Sequence, residues 1–257
     1  MQLVFTPSAG KKLIGKAVAQ QLYNNKTRKD GIIAIIAGTT NGFVADELLK
    51  LLKQHESFSP YHFYRGITTP PSVKTTENGR LPDESGFPGD VIIEKGIWQK
   101  RKTIFDVIEH LEKNDIIVKG ANAVDIINKM AGILIGHPQG GTIVASLQAI
   151  VGKRTRLIIP VGLEKRVPQN IDLTARILNS PECTGPRFIP VQGEIVTELE
   201  AIRILYDVKA HLTAAGGVCG AEGSVWIHID APAEKIDFIK KDLETILCEK
   251  PFKIIPM

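Results

Sequence analysis

Three glycine-containing turns carry the residue types in this sequence that best suit the binding of an anion. They are Gly38 to Gly42 (GTTNG), Lys119 to Asp125 (KGANAVD) and Gly136 to Thr142 (GHPQGGT). Glycines let backbone amides approach a ligand closely, and the N-terminus of a following helix adds free N–H groups and a positive dipole end. Two such turns facing one crevice would bind phosphate or carboxylate. The alternative interpretation is that all three are ordinary strand-to-helix turns.

The predicted ligand contacts lie in these turns, none of which has the spacing of a P-loop or a dinucleotide fingerprint. The predicted contacts are Gly38, Thr39, Thr40, Lys119, Gly120, Asn122, Gly136, Gly140, Gly141 and Thr142. Lys119 is the strongest candidate, because the end of a buried strand is an unfavourable place for a charge unless an anion compensates it. His137 can titrate near neutral pH, so we interpret it either as a ligand contact or proton donor, or as a structural residue.

Two carboxylates join His137 as candidates for catalysis. Asp125 ends the second turn and is interpreted either as a general base or as a first-turn carboxylate of a helix, stabilised by the helix dipole. Glu164, in the segment PVGLEKRV, follows the last predicted parallel strand. Its interpretation as a nucleophile comes from the family resemblance described below, and the alternative is a surface residue paired with Lys165 or Arg166.

The elements that must position these residues alternate between strand and helix over residues 1 to about 180. We predict a helix over 8–22 as the first element, followed by short apolar runs that indicate buried parallel strands, each leading into a helix. The strand and helix pairs are 32–37 with 43–52, 90–96 with 103–113, 115–120 with 121–130, 131–136 with 140–150, and 156–162 with 171–178. This order predicts an α/β fold, a Rossmann-like and mostly parallel sheet with helices on both faces. Such sheets bind ligands at the carboxyl ends of their strands.

The pattern changes after NSPECTGP at 179–186. The following segments read as strand 187–196, helix 197–207, strands 208–218 and 223–231, helix 232–247 and strand 251–256. That order is typical of a ferredoxin-like α+β lobe. We therefore predict two domains, a ligand-binding domain at 1–184 and a ferredoxin-like domain at 185–257.

Two long glycine-containing segments each have two interpretations. The connection at 55–90 is either a flap over the site or an ordinary surface excursion. The segment 214–224 contains four glycines. It is interpreted either as a close approach to a ligand or another subunit, or as a flexible loop.

Composition limits the partners of this protein of 257 residues. Its net charge is +4, with scattered lysines and arginines, so we expect no nucleic-acid partner. No apolar run approaches the roughly 20 residues needed to cross a bilayer, and the first residues lack a signal-peptide pattern. We therefore expect a cytoplasmic protein with no membrane partner. Its three cysteines have no metal-site or redox spacing, and we expect no metal or cofactor.

The succession of 32–49, 114–130, 136–142 and 156–167 resembles the superfamily of ribose-5-phosphate isomerase, glucosamine-6-phosphate deaminase and the CoA transferases. The resemblance covers residues 31–166 loosely and is strongest to the isomerase branch. It implies that Gly38, Thr39 and Thr40 bind phosphate. It also implies a ferredoxin-like lobe, although that lobe is an insertion in the isomerases and lies at the end of the chain here.

One departure from that superfamily affects the functional prediction. The acidic D-G-A-D-E pattern of the isomerases is replaced by Lys119-Gly120-Ala121-Asn122-Ala123, which removes the carboxylate that an aldose–ketose isomerase needs as a base. The CoA transferases use a catalytic glutamate, a role that Glu164 would fill here.

We therefore predict a protein that binds a phosphorylated or otherwise anionic small metabolite at the carboxyl edge of its sheet. Sugar phosphates, nucleotides and acyl-CoAs are the expected ligand classes, and a homo-oligomer is expected. If the protein is an enzyme, its reaction is of the isomerase or transferase class. The alternative is a non-catalytic metabolite sensor whose small lobe mediates oligomerisation or regulation.

Overall fold

Short buried strands and helices alternate along most of the chain. The computed structural model describes residues 1–74, 76 and 87–253. The strands are β1 (Gln2–Phe5), β2 (Ile32–Ile35), β3 (Val91–Glu94), β4 (Ile97–Trp98), β5 (Ile116–Val118), β6 (Ala123–Asp125), β7 (Met130–Ile135), β8 (Arg156–Pro160), β9 (Arg187–Val191), β10 (Glu194–Val196), β11 (Lys209–Ala215) and β12 (Val225–Asp230). The α-helices are α1 (Pro7–Asn24), α2 (Thr27–Asp30), α3 (Thr39–Leu51), α4 (Ile104–Val107), α5 (Gly141–Lys153), α6 (Ile171–Leu178), α7 (Glu198–Tyr206) and α8 (Ala233–Leu247).

The central sheet has six strands in the order β10-β8-β5-β2-β3-β4. The first four run parallel, whereas β3 is antiparallel to β2 and β4 is antiparallel to β3. This arrangement confirms the prediction of an α/β fold with a mostly parallel sheet. Because β3 runs in the opposite direction, its first residues lie at the edge where the parallel strands end.

The side chains of the central strands alternate between two cores, since successive residues of a strand point to opposite faces. Ile33 and Ile35 of β2 belong to a core that includes residues of α1, α3, α7 and α8 and of the sheet β1-β12-β11. Ala34 and Ile36 belong to a second core, formed with α4, α5 and the sheet β6-β7-β9. Helices therefore cover both faces, as predicted.

The first element is a strand, so the prediction that the chain begins with a helix is wrong. Strand β1 pairs antiparallel with β12, near the other end of the chain. A four-residue segment carries too little pattern to reveal such a distant partner. The helix predicted over 8–22 is present as α1, and its N-cap is Thr6, whose side chain accepts a hydrogen bond from the Ala9 amide.

The predicted helix over 121–130 is also wrong, because this segment forms the hairpin of β6 and β7. Strand β7 pairs with β9, which comes from a distant part of the chain, and this pairing overrides the helical spacing. The strand predicted over 131–136 therefore belongs to a separate antiparallel sheet rather than to the central one. The strand predicted over 90–96 contains β3, which is antiparallel rather than parallel.

The ferredoxin-like lobe is not confirmed. The single strand predicted over 187–196 is two strands, of which β9 pairs with β7 and β10 pairs with β8 of the central sheet. The described part of the last predicted strand, residues 251–253, is not a strand, and its remainder lies outside the described residues. The domain division at 184 and 185 stays a prediction, although the β10–β8 and β1–β12 pairings both cross it.

The capping boxes that begin two helices match their sequence signals. Thr103 with Asp106 caps α4, and Thr197 with Glu200 caps α7. The connection at 55–90 is described in part and contains a short 3-10 turn at Pro60–His62. In the described part of the chain, no helix combines the length and the apolar composition needed to cross a bilayer.

Candidate functional site

A pocket of about 990 Å³ lies where β2 and β5 end. The loop after β5, the turn between β7 and α5, and parts of α4 and β9 form its walls. The predicted site residues that line it are Lys119, Asn122, Gly136, His137, Gly140, Gly141 and Thr142. Two of the three predicted turns therefore meet in one pocket.

Lys119 is the cation that follows β5 directly, and it keeps part of its surface exposed. Burial lowers its pKa to about 8, while the charge of Asp90 acts to raise the pKa and that of Arg65 to lower it. No residue in the described parts of the chain forms an ion pair or a side-chain hydrogen bond with its ammonium group. An amine held away from water without a partner favours an anionic ligand.

Asp90 is a buried carboxylate at the same edge that the sequence analysis did not identify. It accepts hydrogen bonds from the Ala37 amide at 2.9 Å, the Ile104 amide at 2.8 Å and the Arg65 guanidinium at 2.9 Å. These bonds fix the end of β2 and the start of α4 against each other. The available sequence signal was an acidic residue placed directly before the apolar run of β3.

Arg65 also lines the pocket and was not identified from the sequence. Its guanidinium carbon lies 4.7 Å from the ring centre of Phe87, and its side chain pairs with Asp90. Its buried Nε makes no hydrogen bond to the described residues. Arg65 therefore retains a donor that its contact with Asp90 does not use.

The turn from Gly136 to Thr142 requires glycine at Gly140. That residue has a φ of 80°, and a Cβ atom there would collide with the side chain of Val144. No side chain caps α5, which begins at Gly141, so the first amides of the helix are available to a ligand. His137 accepts a hydrogen bond from the Gln139 amide through Nδ1, which leaves Nε2 free of that contact.

Arg187 holds this turn in place. Its Nη2 atom donates to the carbonyl oxygens of Ile135, Gly136 and His137 at 3.2, 2.8 and 3.1 Å. Arg187 lies on β9, far from the turn in sequence, so no local pattern could have assigned it this position. It is a positioning residue for the predicted ligand contacts.

The first predicted turn lies at the same edge but does not line this pocket. Gly38, Thr39, Thr40 and Gly120 are absent from its walls. Asn41, which the sequence analysis did not identify, donates from Nδ2 to the carbonyl oxygens of Ile36 at 2.7 Å and Val118 at 3.1 Å. It therefore ties together the ends of β2 and β5.

Asp125 is not at a helix N-terminus, which corrects one of its two interpretations. Its carboxylate accepts hydrogen bonds from the amides of Ile127 and Asn128 and from the side chain of Asn128. These contacts, the amide of Asn128 foremost, lower its pKa. Asp125 lines a second pocket, of about 750 Å³, rather than the pocket that contains Lys119.

Glu164 also lines the second pocket. It pairs with Lys11 of α1 at 3.3 Å, not with Lys165 or Arg166 as the surface interpretation proposed. Both of its carboxylate oxygens are buried and have no hydrogen-bond partner in the described part of the protein. Lys165 instead donates to the carbonyl oxygen of Ala121 at 2.9 Å.

Glu198, a further buried acid beside Glu164, begins α7 and was not identified from the sequence. It accepts a hydrogen bond from the Leu163 amide at 2.8 Å. Burial, and next the charge of Glu164, raise its pKa to about 8. The second pocket is therefore bordered by a cluster in which acids and lysines lie together.

Within the described residues, no group of three histidine, cysteine, aspartate or glutamate side chains is arranged to hold a metal ion. Comparison with known proteins finds no protein-family model that matches the chain and no curated protein that is significantly similar to it. The functional argument therefore depends on the geometry of the two pockets.

Proposed function

We propose that this protein binds a phosphorylated or otherwise anionic small metabolite in the pocket that contains Lys119. One observation carries the proposal: the described lining of this pocket contains Arg65, Lys119, His137 and Arg187 but no aspartate or glutamate. An excess of cations around a cavity attracts anions, and the interaction gains strength where water is partly excluded.

The backbone adds to this attraction. The uncapped N-terminus of α5 presents amides and a positive dipole end at the pocket wall. A ligand at the carboxyl edge of a mostly parallel sheet is also the arrangement expected of a Rossmann-like fold. The resemblance to the sugar-phosphate isomerase and CoA-transferase superfamily belongs to this proposal, but the phosphate loop that it implies, Gly38 to Thr40, does not line this pocket, so the anion site rests on Lys119 and the turn before α5.

Binding without catalysis is the second candidate, and the acidic residues favour it. Asp90 already accepts three hydrogen bonds, and neither Asp125 nor Glu164 lines the pocket of Lys119. Among the described residues, an aldose–ketose isomerisation would lack a free carboxylate base there. In this form the protein would be a non-catalytic metabolite sensor whose small lobe mediates oligomerisation or regulation.

Calorimetric titration with inorganic phosphate, ribose 5-phosphate and uncharged ribose tests the proposal. In thermal denaturation, each of the two anions at a hundred times its dissociation constant should stabilise the fold by about 2.7 kcal/mol, and ribose should have no effect. Lys119→Met should weaken anion binding at least tenfold, about 1.4 kcal/mol, because it keeps most of the aliphatic stem and removes the charge.

Lys113→Met is the matched control, since Lys113 is exposed and lies outside the pocket. It should bind phosphate like the wild type. The proposal is wrong if no phosphate-bearing compound binds, or if the two lysine variants lose affinity to the same extent.

A further inference from the structure

Three large apolar side chains that line the Lys119 pocket remain exposed, and we call them the apolar wall. Phe105 of α4 is 54% exposed, Leu134 of β7 is 40% exposed and Val144 of α5 is 39% exposed. All three line this pocket, together with Ile108 and Ile135. Large apolar side chains that are left exposed together at a cavity indicate a surface that a ligand or partner covers.

The cation and the apolar residues lie at different depths of the pocket. Lys119 is half-buried, whereas Phe105, Leu134 and Val144 are 54%, 40% and 39% exposed. The amide of Leu134 donates to Asn122, so the apolar wall begins directly beside the loop that carries Lys119. An anionic group at the lysine would therefore have its attached body beside the wall.

We infer that the ligand is amphipathic, with a phosphate head at Lys119 and an apolar body that covers Phe105, Leu134 and Val144. This inference rests on the proposed function and narrows its ligand class. Over Phe105, Leu134 and Val144 the hydroxyls of a sugar phosphate would find no hydrogen-bond partner, and the polar side chains of the pocket, such as Gln139 and Gln148, would have to supply them. An alkyl or aryl body would instead remove apolar surface of both partners from water.

A series of phosphate monoesters tests the inference by calorimetry. Inorganic phosphate, ethyl, butyl and hexyl phosphate share the head group and differ in the body, with phenyl phosphate as the aryl member and ribose 5-phosphate as the polar one. Each methylene that reaches the wall should tighten binding by up to about fourfold, which corresponds to about 0.8 kcal/mol. The heat-capacity change of binding should become more negative along the series.

Variants of the wall separate this effect from non-specific adsorption. Phe105→Gln and Leu134→Thr replace exposed side chains and should flatten the dependence of affinity on chain length. Val151→Thr is the matched control, because Val151 is 76% exposed on α5 and does not line the pocket. Val151→Thr should retain the full dependence of affinity on chain length, whereas Lys119→Met should weaken the binding of every compound in the series.

The outcomes distinguish the inference from the proposed function. Binding of inorganic phosphate and ribose 5-phosphate with no gain for butyl, hexyl or phenyl phosphate overturns the inference and leaves the proposed function standing. Absence of binding across all phosphates overturns both. A gain along the alkyl series identifies a chain as the body, and a gain confined to phenyl phosphate identifies a planar ring; either result supports the apolar body.

Discussion

The two pockets at the carboxyl edge of the central sheet both contain charged residues, but they differ in how those charges are compensated. Around Lys119, the described lining contains Arg65, Lys119, His137 and Arg187 and no acid, and Arg65 pairs with Asp90, which does not line the pocket. Around Glu164, a lysine pairs with the carboxylate and a second acid lies nearby. The presence of charge does not distinguish a binding site from a structural cluster. What distinguishes Lys119 is that no described residue forms an ion pair with its ammonium group, so a ligand can supply the counter-charge.

The largest effect should follow from removing Glu164. Its carboxylate pairs with Lys11, and the two side chains are 13% and 12% exposed. Glu164→Ala would leave the lysine nearly buried without its partner, at an expected cost of about 3–5 kcal/mol in the free energy of unfolding. Urea denaturation measures this loss.

Glu194→Ala is the matched control for that variant. Glu194 pairs with Arg156 at 3.0 Å, but both side chains are more than 40% exposed, so the loss should stay below about 1 kcal/mol. Equal losses in the two variants would mean that Lys11 does not depend on Glu164. The Glu164 carboxylate would then be available for chemistry, and the contrast between the pockets would disappear.

Lys119→Met should raise the free energy of unfolding, whereas Glu164→Ala should lower it. Burial holds the pKa of Lys119 at about 8 in the folded protein, below its ordinary value of 10.5. The unfolded chain therefore binds the proton more tightly, and the free energy of unfolding should rise with pH between about 8 and 10.5. The variant should gain up to about 3 kcal/mol at neutral pH and lose this pH dependence.

Denaturation profiles of both proteins from pH 7 to pH 10.5 measure the difference. Anion affinity of the wild type should fall as the pH rises through about 8, because the ammonium loses its charge. A Lys119→Met protein that is several kcal/mol less stable than the wild type would show that the lysine has an internal partner. Lys119 would then resemble Lys11, and the proposed anion site would have to be withdrawn.

The smallest effect is expected for Asp125→Asn. Asparagine keeps one oxygen for the amides of Ile127 and Asn128 but loses the second acceptor, at a cost of about 1 kcal/mol. Hydrogen bonds lower the pKa of Asp125, so its contribution is complete at neutral pH and is lost as the pH falls through the lowered pKa. Phosphate affinity should not change, since Asp125 lines the other pocket. A tenfold loss of phosphate affinity would instead show that the two pockets are energetically coupled.

Local pattern was sufficient for β2, β5 and β8, and two of the three predicted turns lie at one pocket. The apolar runs of β2, β5 and β8 are short and continuous, as fully buried strands require, and each ends where the sequence turns polar. Their parallel order then brings Lys119 to the sheet edge, and the turn at Gly136 to Thr142 lies at the same pocket. The capping box of Thr197 and Glu200 can also be recognised from sequence alone, since both partners lie within one helical turn.

Contacts between distant segments determined the elements and site residues that local pattern did not predict. The helical spacing of residues 121–130 was overridden by pairing with β7, which is itself held by β9. Asp90 and Arg187 acquired their positions only when β3 and β9 were placed, and Glu164 met Lys11 rather than its sequence neighbours. A sequence pattern records which residues share a face of one element. Which charge meets a counter-charge depends on the packing of elements far apart in the chain, and among the described residues that packing gives Lys119 no ion-pair partner.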